Sequence, residues 1–268
     1  MGKLLKADLY RIFKSKLFLI AALLALVFPV LTVLLYFGLD KLIAATSELQ
    51  SMMNMNMTGL NMTGQQLLSE QFVLSSNMGL ILPIFITLFV AGDISNGTLR
   101  NKIIAGRSRT AIYFSHLITS GLTGAFLMVV SNLIFLAAVI PVFGYGVDID
   151  KAEVLKLVYF YATGGITIFF GASVSTMVTL SIKNTAPAVI ISAVVLMGLS
   201  LIGNGIHAVD PLDENRLLCL IPTYTNTSFL AKGTFDLTSF LLGVVSYAVC
   251  ILVLTLAGLI VFKKSDIK

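Results

Sequence analysis

Charge is scarce in this chain. Of 268 residues only 12% are Asp, Glu, Lys or Arg, while 57% are hydrophobic and the mean hydropathy is +0.96. A soluble domain carries roughly twice that share of charge, so a soluble globule is excluded. Histidine and cysteine are scarcer still. His116 and His207, like Cys219 and Cys250, stand far apart in sequence, so no metal-ligand spacing and no disulfide framework can be read, and metal and redox enzymes are disfavoured. The chain also lacks a G-x-x-x-x-G-K-[ST] phosphate loop, so it has no familiar cradle for ATP. Its net charge of +5 and pI near 9.2 do not point to nucleic acid, because the basic residues are shared among loops instead of forming one aromatic-interleaved patch.

What is present is long apolar sequence. The 18 basic and 13 acidic residues leave six charge-free stretches, 17–39, 71–92, 110–147, 157–182, 184–209 and 237–262. Each can cross a hydrocarbon core of about 30 Å at 1.5 Å per helical residue. The expected architecture is an all-α membrane protein of one domain, with spans at about 17–37, 72–92, 110–140, 157–181, 186–206 and 241–262. Sorting the intervening segments by side puts thirteen Lys and Arg with three acids on one face, and five Lys and Arg with ten acids on the other. The positive-inside rule makes the first face cytoplasmic, and six crossings then put both termini inside. The first apolar segment is too long for a signal-peptide core and no small-x-small cleavage pattern follows it, so it is expected to remain as a membrane helix.

Residues 2–16 read as an amphipathic helix at the inner interface. Leu5, Leu9, Ile12 and Phe13 share one face, Lys3, Arg11 and Lys14 lie opposite, and Lys6 is on the flank, so the cations would meet anionic headgroups of the lipid bilayer. Pro29, Pro83 and Pro187 read as kinks or helix starts without a functional role. The first outer loop, about 38–70, holds Met52, Met53, Met55, Met57 and Met62 among asparagines. Thioether sulfurs at that spacing suit Cu(I), but with no Cys or His beside them a partly helical, membrane-hugging loop is the preferred reading. Three Asn-x-Ser/Thr sequons, at Asn56, Asn61 and Asn226, matter only in a secreting eukaryote. Ser108 is a good N-cap for a third helix longer than the membrane requires. Between spans 5 and 6, the apolar run 217–221 before Pro222 is too short to cross and suits a re-entrant half-helix. His116 and His207 read as isolated interfacial histidines at opposite membrane faces.

The spans themselves contain no ionisable side chain, so proton coupling, voltage sensing and charge-selective conduction lack their usual tools. Energy for active transport must come from another chain. The loop 91–109, AGDISNGTLRNKIIAGRSR, is the most informative segment. Ser95 or Asn96 can cap a short helix, Leu99 and Ile103 share one face of it, Arg100 and Lys102 point elsewhere, and Gly106 ends it. Such a helix, parallel to the membrane, offers an apolar ridge and cations to a cytosolic partner.

An acidic residue followed by Asn96-Gly97-Thr98-Leu99-Arg100, then Gly106-x-Ser108-Arg109 opening the next span, resembles the inner loop of ABC-2 type permeases, the membrane subunits of bacterial ATP-binding-cassette exporters. The resemblance extends to the six spans, the N-terminal amphipathic helix and the excursion between spans 5 and 6. Asp93 departs from the family's frequent glutamate, and His116 from its frequent lysine. The resemblance implies a coupling helix over 93–106, with Asp93, Ser95, Asn96, Gly97, Thr98, Leu99, Arg100, Lys102 and Ile103 at the interface with an ATPase subunit, and a second contact at Lys183 and Asn184. It further implies two ATPase copies holding ATP and Mg, a second permease copy in a homodimer, no cofactor on this chain and no catalysis by it, and residence in the bacterial cell membrane. An uncharged pathway of Phe, Met, Ser, Thr and Asn suits an apolar or amphipathic cargo such as a peptide, toxin or antimicrobial compound. The competing readings are an ATP-independent carrier or channel and a non-transporting immunity or assembly protein.

Overall fold

The computed structural model describes residues 2–45, 63–72, 77–209, 218, 220–221 and 237–265. The methionine cluster Met52–Met62 and the first two sequons, the Asn226 sequon, the side chain of His207, and all of the 217–221 run except Leu218, Leu220 and Ile221 lie outside the described residues. Among the described residues every regular element is a helix: α1 (Gly2–Lys14), α2 (Lys16–Ala45), α3 (Gly64–Glu70), α4 (Asn77–Ser95), α5 (Thr98–Ile104), α6 (Arg109–Phe143), α7 (Lys151–Ile182), α8 (Thr185–Val209) and α9 (Leu237–Lys264). Five of them, within α2, α6, α7, α8 and α9, are long and apolar enough to cross a membrane, and α4 with α5 forms a sixth candidate bent by 60°. The chain has the architecture of a multi-pass membrane protein.

The helix boundaries follow from caps. Ser15 closes α1 by donating its hydroxyl to Ile12 O at 2.7 Å and opens α2 by accepting from Phe18 N at 3.1 Å, so the expected single segment 2–16 stops at Lys14. Ser108 caps α6 as expected, accepting from Ala111 N at 3.2 Å. The fourth span begins at Lys151, not 157, because Asp150 accepts from Glu153 N at 2.8 Å, with the acid at the third helical position that an N-terminus favours. The second span begins at Asn77, not 72: Gln71 N bonds to Leu68 O and Phe72 lies in the turn after α3. The first and last spans, expected to run 17–37 and 241–262, lengthen to Lys16–Ala45 and Leu237–Lys264.

α7 is the central helix. It packs against α4, α6, α8 and α9, and 67% of its most apolar stretch is buried against 22–33% in the other four spans. Small residues let the backbones approach closely: a Cβ on Gly121 of α6 would collide with the Phe169 ring of α7, and one on Gly124 would sit 2.7 Å from Ile168. The hydroxyls of Thr163, Thr167, Ser173 and Thr179 donate to carbonyls three or four residues earlier, which satisfies these donors within α7 itself. α6 and α7 run antiparallel, so the start of α6 and the end of α7 share one end of the bundle. α1, α5 and the end of α9 lie there too, making it the basic end.

The opposite end is tied by α3. Gly64 N and Gln65 N donate to Gly144 O and Tyr145 O, both at 3.1 Å. Gln65 Nε2 and Tyr145 Oη converge on one oxygen of the buried Glu153, at 2.6 and 2.7 Å, and Tyr36 Oη donates to Glu70 at 3.0 Å. Phe72 stacks on Phe160 and meets Tyr161 edge-on.

Candidate functional site: a closed ring of charge at the basic end

α4 ends where Ser95 donates to Gly92 O at 3.2 Å, and the chain turns through Gly97 at φ 67° into α5. The cap of α5 is therefore Gly97 without a side-chain bond, not Ser95 or Asn96: a left-handed backbone, which glycine adopts readily, makes the sharp turn into the helix. α5 ends as the glycine predicts. Gly106, at φ 78°, bonds back to Ile103 O while Arg107 N reaches Lys102 O, a Schellman closure. The seven residues of the helix and its C-cap, Ala105, thus sit between two glycine turns.

The orientation of that short helix differs from expectation. Leu99 is buried and Ile103 packs on the core, so the apolar ridge faces the bundle instead of a partner. Lys102 does not point away; its ammonium lies 2.8 Å from both Asp8 Oδ1 and Asp93 Oδ2. Asp93 is buried, not at an interface, because it also pairs with Arg11 and approaches His116 Nε2 at 3.3 Å. Arg11 lies 3.6 Å from Asp8, and its guanidinium stands 4.8 Å over the Phe89 ring, so it faces inward instead of toward headgroups. The second oxygen of Asp8 accepts from Ser115 Oγ at 2.6 Å.

Asp8, Lys102, Asp93 and Arg11 form a closed ring of alternating charge, with two corners on α1, one on α4 and one on α5. Two carboxylates against two cations balance the ring, which allows Asp8 and Asp93 to be buried at 2% and 3% exposure. His116, at 0% exposure, is buried beside the Asp93 corner of the ring and is not an isolated interfacial histidine. Among the described residues, no three His, Cys, Asp or Glu side chains converge as metal ligands.

The expected spans free of ionisable side chains are corrected at both ends: Asp93 is buried near the end of α4 and His116 within α6, with Asp8 of α1 buried against them, and Glu153 is buried in the first turn of α7. Helical arithmetic contained the signal. Asp8 falls four residues from both Leu4 and Ile12, the two buried apolar residues of α1, and Arg11 lies on the same stripe. Leu5 and Leu9 are half-buried and Phe13 exposed on a second face; Lys3, Lys6 and Lys14 are exposed on the remainder.

The outward surface of this loop comprises Ser95, Asn96, Arg100, Asn101, Ile104 and Arg107, with Gly97 and Thr98 half-buried. Lys183 and Asn184 are exposed at the same end: Lys183, at φ 58°, closes α7, and Asn184 O accepts from Ala188 N. The polar residues of 93–109 thus divide into an inward set that binds the loop to the bundle and an outward set free of that task.

Residues 49–268 match the model of a protein family described as protein of unknown function (DUF2705), and the chain belongs to that family. No curated protein and no solved structure matches the chain.

Proposed function

We propose that this chain is the membrane permease subunit of an ATP-binding-cassette exporter, with α5 as the coupling helix that docks on a separate ATPase. The reading takes six crossings, α4 and its bent continuation supplying the second, with the basic end and both termini in the cytoplasm of a bacterial cell. A second copy completes the pathway, and two ATPases bind ATP and Mg. The cargo is apolar or amphipathic.

The observation that carries the reading is the two-sided construction of α5. A helix meant only to anchor a loop would need its inward side, Leu99 and Lys102. Here the outward side, Arg100, Asn101 and Ile104, is presented rigidly at the end of a 60° bend, and Ile104 is 73% exposed. Force applied to that surface reaches α4 through Asp93 and α6 through the Asp8–Ser115 bond. Nucleotide binding that favours closed ATPases biases the spans through such rigid contacts.

The test is co-purification of the full chain in mild detergent. A partner with a phosphate-binding loop and a cassette signature is expected, and Arg100→Ala should reduce its recovery. A folded chain that comes down alone, or cargo movement in vesicles holding only this chain without nucleotide, overturns the reading.

A further inference from the structure

The ring of charge does more than neutralise buried groups. α5 has seven residues, too few to hold a helix or a direction alone, and it is joined at both ends through glycines in the left-handed conformation. Leu99 anchors one point of it to the core. Ile103, four residues on, packs against the same core on the same face, and two contacts on one line leave rotation about that line open, so the angle of α5 depends on a tie off that line, and Lys102 is that tie.

The Lys102–Asp93 pair spans nine residues of the same loop and joins α5 only to α4. Asp8 and Arg11 extend it beyond the loop. Asp8 takes the other side of the Lys102 ammonium, Arg11 holds the other oxygen of Asp93, and the Asp8–Ser115 bond fixes the acid to α6. α1 thereby grips both sides of the bend between α4 and α5. Hydrophobic residues of similar volume would fill such a site with equal or greater stability, so stability alone does not account for four charges here.

We propose that Asp8 and Arg11 are positioning residues that set the angle of α5, so that α1 and α5 move as one body at the basic end. The importance of this for transport rests on the permease reading above, under which the N-terminal helix becomes part of the coupling device. The geometry itself needs no partner, and the test is chosen accordingly.

Spin labels are placed on the full chain at Ile104→Cys in α5 and Lys264→Cys at the end of α9, both exposed positions, in a Cys219→Ser/Cys250→Ser background. Their distance distribution is measured in detergent or nanodiscs. The paired neutral variant Asp8→Asn/Arg11→Gln removes the α1 corners and leaves Lys102 and Asp93 balanced. It should broaden and shift the distribution, while Lys3→Gln/Lys14→Gln, which removes two exposed cations from α1, should leave it unchanged. An unchanged distribution in the folded double variant overturns the proposal. If that variant does not fold, Arg11→Lys carries the test, since it keeps the charge and loses the planar fork. A smaller change in the same direction supports the proposal, and none overturns it. Failure of the unsubstituted chain to capture an ATPase would overturn the permease reading and leave this distance test untouched, because the test is made on the chain alone.

Discussion

Arg109, the first residue of α6, donates from one guanidinium nitrogen to Phe262 O at 3.0 Å, and the same nitrogen reaches Lys263 O and Ser265 O at 2.8 Å. It satisfies carbonyls that the last turn of α9 leaves without intrahelical partners, and its charge sits at the negative end of that helix. The Ser108-Arg109 pair thus does two local jobs: the serine starts one helix and the arginine finishes another. Arg109→Gln should cost about 1–2 kcal/mol, the range for losing a charge-assisted bond at a partly exposed site. Thermal unfolding in detergent measures the loss, and proteolysis should find the C-terminal turn of α9 more accessible.

At the opposite end, burial and the hydrogen bond to Glu153 push the Tyr145 phenol above its ordinary value near 10. A phenol whose folded value lies above its unfolded one favours folding in its protonated form. That contribution is whole below about pH 10 and is lost as the pH rises through the folded value. Stability measured by thermal unfolding should therefore fall above about pH 10, and Tyr145→Phe should flatten the fall while costing about 1 kcal/mol at neutral pH. An equally steep alkaline fall in Tyr145→Phe would assign it to another group.

The helices were legible because membrane spans are written in long runs without charge, which burial and length alone make helical. Ser108 and Gly106 could be read because a cap and a stop act within one turn of backbone. The ring of charge could not be read in the same way. Lys102 and Asp8 are 94 residues apart, and nothing local distinguishes a lysine that turns inward from one that faces solvent. Arg11 and Lys102 also fit the surplus of cations on the cytoplasmic face, where nothing in the sequence sets them apart from their exposed neighbours. Glu153 was hidden for a related reason: its partners are Gln65, in a helix of seven residues, and Tyr145, in an irregular segment, both too short for periodicity to carry information.

Gly258 of α9 faces Tyr113 of α6, and a Cβ there would run into the Tyr113 hydroxyl, which is buried without a hydrogen-bond partner among the described residues. Gly258→Ala should destabilise by about 1–3 kcal/mol through overpacking. Tyr113→Phe alone should be close to neutral, because it removes an unsatisfied polar atom. The double variant should recover part of the loss, a coupling visible in a thermal-unfolding mutant cycle. Simple additivity would mean that the backbones move apart instead of the ring giving way.

Leu99 and Arg100 are neighbours in sequence with opposite surroundings, and their replacement separates stability from function. Leu99 is 3% exposed, so Leu99→Ala should cost about 2–4 kcal/mol through lost packing and the cavity left behind. Arg100 is exposed, so Arg100→Ala should change stability by less than about 0.5 kcal/mol. Under the permease reading the order reverses for coupling: Arg100→Ala in a chain of unchanged melting temperature should reduce ATPase recovery and transport-stimulated hydrolysis. Lys183→Ala, on the turn at the same end, should give a smaller reduction of the same kind. If Arg100→Ala retains full recovery and full stimulation, the outward face of α5 is not a docking surface. The bend between α4 and α5 would then be a packing feature of the ring of charge alone.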